Sequence, residues 1–176
     1  KSNLNPDYPI ELLPDKVPFV SYPYEWTFNQ LKDAAILTLE INKIALEHGM
    51  ILKDASAFNV QFVGPNPIFI DTASFIIYEE GQAWSAYQQF CRHFLSTLAL
   101  SQYGDIQLRK LLLVNIDGIP LALCKKMLPI KSWFNSGIFL HIWLNALGQT
   151  ASPRNRKTTQ TSLQQSKKKL LVILTI

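Results

Sequence analysis

The chain is poor in cysteine and histidine and has no long apolar run, and each shortage excludes something. Its two cysteines, Cys91 and Cys124, stand too far apart for a zinc motif and are too few for a disulfide framework. Both fall in apolar, helix-like patterns and are expected to be reduced core residues, which suits a cytoplasmic protein. No apolar run approaches the roughly 20 residues that span a bilayer; the terminal "LLVILTI" is far shorter. The opening "KSNLNPDYPIELLPDK" lacks the apolar core of a secretory leader, so none is expected. No H-E-x-x-H, G-x-S-x-G or Cys–His nucleophile pattern occurs. The three histidines do not form a ligand set. His93 lies beside an apolar stripe, His48 ends a helix, and His141 has no second ligand at useful spacing.

What is present is enough for one globular body. The chain has 176 residues, 48% of them hydrophobic and 17% charged, a composition that builds a core. The net charge of +4 is unevenly placed. From Ala151 onward there are 6 of the 17 basic residues and no acid, so residues 1–150 carry 11 bases against 13 acids. The body is mildly acidic. The tail, 150–176, is basic, of low complexity and expected to be disordered. No stretch of the body interleaves aromatic and basic residues as a nucleic-acid groove would, so nucleic acid is not an expected partner.

Residues 1–18 read as an irregular lead-in, with Pro6, Pro9, Pro14 and Pro18. A helix should start at Thr27, which has capping-box spacing to Gln30. Apolar residues at helical spacing carry it to His48-Gly49, where the glycine suits a left-handed cap. "MILKD" reads as a short strand entering a loop. "VQFV" and "IFI" flank Gly64-Pro65-Asn66-Pro67 and predict a hairpin with a four-residue turn. The stripe Trp84, Tyr87, Phe90, Cys91, Phe94, Leu95, Leu98 predicts a helix from 84 to about 102. Shorter helices are expected at 106–115, 118–127 and 134–148. The fold class is therefore α+β and mostly helical, with residues 19–149 as one unit.

The polar residues that draw attention are Asp54, Asn59 and Asp71. A carboxylate, an amide and a second carboxylate around a hairpin could orient a hydroxyl and hold Mg²⁺ on nucleotide phosphates. The hairpin should bring Asn59 near Asp71. The same residues could equally cap local backbone N–H groups. Tyr24, Glu25 and Trp26 could form a ligand wall or pack between lobes, and Lys53 could meet a phosphate or solvent.

The order "HGMILKDASAFN", hairpin, "IFID" resembles the catalytic segment of protein kinase-like and aminoglycoside phosphotransferase-like folds. That resemblance makes Asp54 the catalytic-loop aspartate, Asn59 and Asp71 the metal ligands, "VPFVSYPYEW" a hinge, and residues 19–149 a helical kinase-like lobe. Leu52, Ser56 and Thr72-Ala73 stand where those families carry a histidine, a lysine and Phe-Gly. No Gly-rich phosphate loop or strand-borne lysine precedes residue 19. A second resemblance covers roughly residues 17–147, through "PFVSYPYEWTFNQLKDAAILTL", "WSAYQQFCRHFLSTLAL" and "DGIPL". These runs are similar to the N-terminal region of bacterial class I SAM-dependent methyltransferases related to nodulation-type proteins. It implies a truncated or frameshifted piece without the methyl-transferring domain, inactive alone, with no SAM site of its own. Its partners would be a missing N-terminal lobe and a downstream methyltransferase domain. The alternatives are a phosphotransferase remnant binding Mg²⁺ and ATP, and a ligand-free interaction module. Apolar surface near Phe19–Trp26 and the terminal "LLVILTI" lead to an expectation of self-association.

Overall fold

A computed structural model describes residues 14–146. Most of the expected lead-in and the expected basic tail lie outside these residues. The first helix, α1 (Phe28–Glu47), begins as its capping box requires. Thr27 Oγ1 accepts from the Gln30 amide at 3.2 Å, and the Gln30 side chain accepts from the Thr27 amide at 3.0 Å. Leu31, Ala34, Ala35, Thr38 and Ala45 form its buried face, at the spacing that puts side chains on one side of a helix.

Two antiparallel ladders follow. β1 (Met50–Leu52) pairs with β4 (Phe75–Ile77), and β2 (Val60–Val63) pairs with β3 (Asn66–Phe69). The hairpin turn has two residues, not the expected four: Val63 stands opposite Asn66, and Pro67 belongs to the strand. Gly64 has φ +58°. The ring of Pro65 locks its own φ negative, and this pair of signs fits a type II′ turn, which suits the twist of the strands. β4 was not expected. Its three residues are apolar without alternation, so the sequence carries no period to read.

The central helix runs over 87–103 in three pieces: α2 (Tyr87–Phe90), a π-helical stretch Cys91–Leu95, and α3 (Ser96–Tyr103). It starts three residues later than the stripe predicts. The Trp84 indole N–H instead donates to the Leu52 carbonyl at 2.7 Å, which ties the preceding turn to β1. The remaining helices are a 3₁₀ turn Ile106–Lys110 running into α4 (Leu111–Val114), then α5 (Leu121–Met127), a 3₁₀ turn Ile130–Phe134, and α6 (Ser136–Ile138) continuing as a π-helical stretch Phe139–Leu144. Of these, α5 starts three residues later than expected, and the stretch expected at 134–148 is helical over 136–146, with its expected end outside the described residues. Ahead of α5, Gly118 has φ +84°, and a Cβ there would lie 2.7–2.9 Å from Arg92 and His93. Only glycine lets that loop lie against the central helix.

One buried cluster joins these parts, from Trp26 and Phe62 through Phe90, Phe94 and Leu100 to Leu121, Ile142 and Trp143. The fold is α+β and mostly helical, as expected. Cys91 and Cys124 are free and buried, and burial pushes both thiols up to about 12. Among the described residues no helix is long and apolar enough to cross a membrane.

Candidate functional site

The two ladders end side by side, and the polar residues gather where they end. Beyond the β1–β4 ladder, the Lys53 amide donates to the Ser74 carbonyl at 2.8 Å. Beyond the β2–β3 ladder, the Ile70 amide donates to the Asn59 carbonyl at 2.9 Å. The loop 53–59 and the segment 70–74 are thus held against each other from both sides. Asp54, Asn59 and Asp71 all lie there, half-buried.

Asn59 is the link. Its Nδ2 donates to Asp54 Oδ1 at 3.1 Å and reaches Ser74 Oγ at 3.4 Å. A side-chain amide has two hydrogens, so both contacts can be made at once. The Ser74 hydroxyl in turn donates to Asp71 Oδ2. The four side chains form one continuous chain, Asp54–Asn59–Ser74–Asp71. Each carboxylate also takes a backbone amide: Asp54 Oδ1 accepts from Ser56 at 2.9 Å, and Asp71 Oδ1 from Ala73 at 3.0 Å. Asp54 Oδ2 and Asn59 Oδ1 take part in none of these bonds.

The loop is braced from the two long helical segments. In α1, Asn42 Oδ1 accepts from the Leu52 amide at 3.0 Å. In α2, Gln89 Oε1 accepts from the Ala55 amide at 2.9 Å. With Trp84 on the Leu52 carbonyl, three side chains from outside the loop fix the backbone that enters it. Sequence reasoning missed Ser74, Gln89 and Asn42. Ser74 had a weak local signal in its spacing of three from Asp71. Gln89 and Asn42 had none, because their partners lie 34 and 10 positions away.

His93 lies under this loop, 1% exposed. Its ring meets Phe58 edge-to-face at a centroid distance of 6.0 Å. Burial, helped by the neighbouring Arg92 charge, pushes its pKa down to about 4, while Asp54 and Asp117 pull weakly the other way. A neutral, enclosed imidazole of this kind fits a structural role. Its Nδ1 has no hydrogen-bond partner among the described residues. Burial likewise holds His141 at about 4, with its Nδ1 on the Tyr87 hydroxyl.

Tyr24, Glu25 and Trp26, read as a ligand wall or as packing, are placed differently. Trp26 is 2% exposed. It packs edge-on against Phe62 at 5.1 Å, and its indole N–H donates to Ser21 Oγ at 2.8 Å. It is a core residue because Gln61, two strand positions from Asn59, clasps Ser21 through both its N–H and its carbonyl and draws the segment onto the hairpin. Tyr24 stacks on Tyr22 with centroids 5.4 Å apart, and Glu25 accepts from the Tyr22 amide at 2.8 Å. Lys53 is exposed on the loop.

Two carboxylates and an amide carbonyl are oxygen donors, the type hard cations take. Among the described residues no three His, Cys, Asp or Glu side chains are grouped to hold a metal ion, so a cation at this site would need the Asn59 oxygen and ligands from elsewhere.

Over 144 residues, 82% of this chain, the sequence is 40% identical to nodulation protein NoeA of Rhizobium meliloti (strain 1021). The chain spans 29% of that protein's length. No family model matches the chain, and no solved structure matches it.

Proposed function

We propose that the described body is the helical lobe of a kinase-like region within a longer nodulation-type protein, and that Asp54, Asn59 and Asp71 bind Mg²⁺ and a nucleotide phosphate. The observation that carries this reading is the hydrogen-bonded chain Asp54–Asn59–Ser74–Asp71 where the two ladders end. Asn59 Oδ1 and the Asp71 carboxylate would hold the cation, whose charge would offset that of the phosphates. Asp54 Oδ2, on the facing loop, would orient an acceptor hydroxyl. The grip on the phosphates would come from the cation held by Asn59 and Asp71. Methyl transfer from SAM would belong, on this reading, to parts of the longer protein outside this chain.

A second reading rests on the Ser56 and Ala73 amides. Each carboxylate closes a local turn, which a scaffold or ligand-free interaction module also needs. Calorimetric titration with Mg²⁺ and ATP separates the two. Metal-dependent binding that disappears in Asp71→Ala supports the first. No heat from the parent chain, with a lowered Tm in the variant, leaves the scaffold.

A further inference from the structure

We infer that the turn Ile130–Phe134 and the helical stretch after it form a surface that docks onto an anionic lipid bilayer. The inference is independent of the phosphate site and concerns the helical end of the molecule. Phe134 is 90% exposed and Ile130 77%, with Trp133 at 46% beside them. In a 3₁₀ turn residues three apart are eclipsed, so Ile130 and Trp133 project together and Phe134 follows. Phe139, 37% exposed, extends the patch, and Trp133 touches it with ring centroids 6.1 Å apart. With about 200 Å² per aromatic side chain, the three rings alone expose about 350 Å². That equals the largest apolar patch of an ordinary monomer, a patch that is often functional, and its aromatic make-up and flanking lysines single it out.

Charge selects the partner. Between Gly118 and Ala146 there is no Asp or Glu, while Lys125, Lys126 and Lys131 are present. Lys126 and Lys131 are exposed, and Lys125 Nζ sits 5.3 Å from the Trp143 ring. A second copy would bring the same cations face to face, which opposes pairing. A surface that is both negative and apolar beneath its charges satisfies both halves of the patch. Aromatic and aliphatic tips enter the headgroup boundary and lysines stay among the phosphates. This contact is peripheral and needs no spanning helix.

The test is sedimentation of the full chain with phosphatidylcholine vesicles, with and without phosphatidylglycerol. Binding is expected with the anionic vesicles alone. It should weaken with salt and shift tryptophan emission to the blue, with Trp133→Phe removing most of the shift. Phe134→Ser should weaken binding about tenfold or more, and Lys131→Gln about fivefold at low salt. Both side chains are exposed, so Tm should not move. The variants keep the basic tail, so undiminished binding in Phe134→Ser would place the contact elsewhere and overturn the inference. So would failure of the parent chain to bind, or concentration-dependent self-association through the patch in place of lipid binding.

Discussion

Asn59 sits between two carboxylates, and a neutral amide is the side chain that can serve both. Asn59→Ala should cost about 1–2 kcal/mol, because Asp54 and Ser74 lose a donor in a half-buried place. Asn59→Asp should cost more at neutral pH, since it puts a third carboxylate within hydrogen-bond distance of Asp54. If the site takes a cation, millimolar Mg²⁺ should return part of the lost Tm in Asn59→Asp and none in Asn59→Ala. Equal melting curves with and without the metal in both variants would count against a metal site. The two enclosed histidines give a pH dependence. His93 and His141 are held near 4 in the fold, against about 6.5 in the unfolded chain. Their neutral form is favoured by folding, so their contribution is fully present above pH 6.5. It is lost as the unfolded chain gains protons on the way down to pH 4, on the order of 3 kcal/mol for each. Urea midpoints at pH 7, 5.5 and 4.5 should fall accordingly, and His141→Gln should flatten the fall. A profile as steep in the variant as in the parent would remove His141 from the account. At this scale the sequence was partly readable. Asp54, Asn59 and Asp71 stood out because acid and amide types recur at short spacing around a turn. Trp26 stood open between two readings, because an aromatic beside a proline-rich segment reads the same whether its ring faces a ligand or the core.

Among the elements, the central helix carries the most consequence for the site. Its α2 portion supplies Gln89 to the Ala55 amide, and the preceding turn supplies Trp84 to the Leu52 carbonyl. Gln89→Ala leaves a buried amide without its acceptor, a loss of about 1–3 kcal/mol. Hydrogen exchange at Ala55 should speed up in that variant while the α1 amides stay protected. Unchanged exchange at Ala55 would mean that the loop holds itself. Gly118→Ala tests the other side of the same helix. Its Cβ would strike the backbone at Arg92 and His93, and a positive φ adds strain, so a loss above about 2 kcal/mol is expected. Elements set by local chemistry were legible: the capping box of α1, and the existence and strand identity of the β2–β3 hairpin. Elements set by distant contacts were not. β4 exists because β1 lies beside it, and the helix beginning at Tyr87 starts late because Trp84 is held by β1. The π-helical stretch Cys91–Leu95 keeps an apolar stripe that reads as an ordinary helix, since a single widened turn barely disturbs a 3.6 period.

The molecule as a whole is built on one core, and that makes its two ends interdependent. Trp26 is packed on the hairpin near the polar site, and Trp143 is packed against Trp133, with ring centroids 4.4 Å apart, at the helical end. Both tryptophans belong to the same buried cluster, which also holds Phe90 and Phe94, whose ring centroids are 5.1 Å apart. A body with a single continuous core should unfold in one step. Removing Phe94, which is fully buried, should weaken both ends together. Phe94→Ala is expected to cost about 3–5 kcal/mol, and the measurement is urea unfolding of two variants in which Trp26 or Trp143 is the single tryptophan, the other three of the four being replaced by Phe. One midpoint shared by Trp26 and Trp143, shifted equally by Phe94→Ala, is the expected result. Two midpoints, with Phe94→Ala moving only one, would divide the hairpin end from the helical end. In that case a phosphate ligand at Asp71 would stabilise Trp26 and leave Trp143 unmoved. With one core, ligand binding at either end raises the single midpoint, because anything that binds only the folded state stabilises all of it.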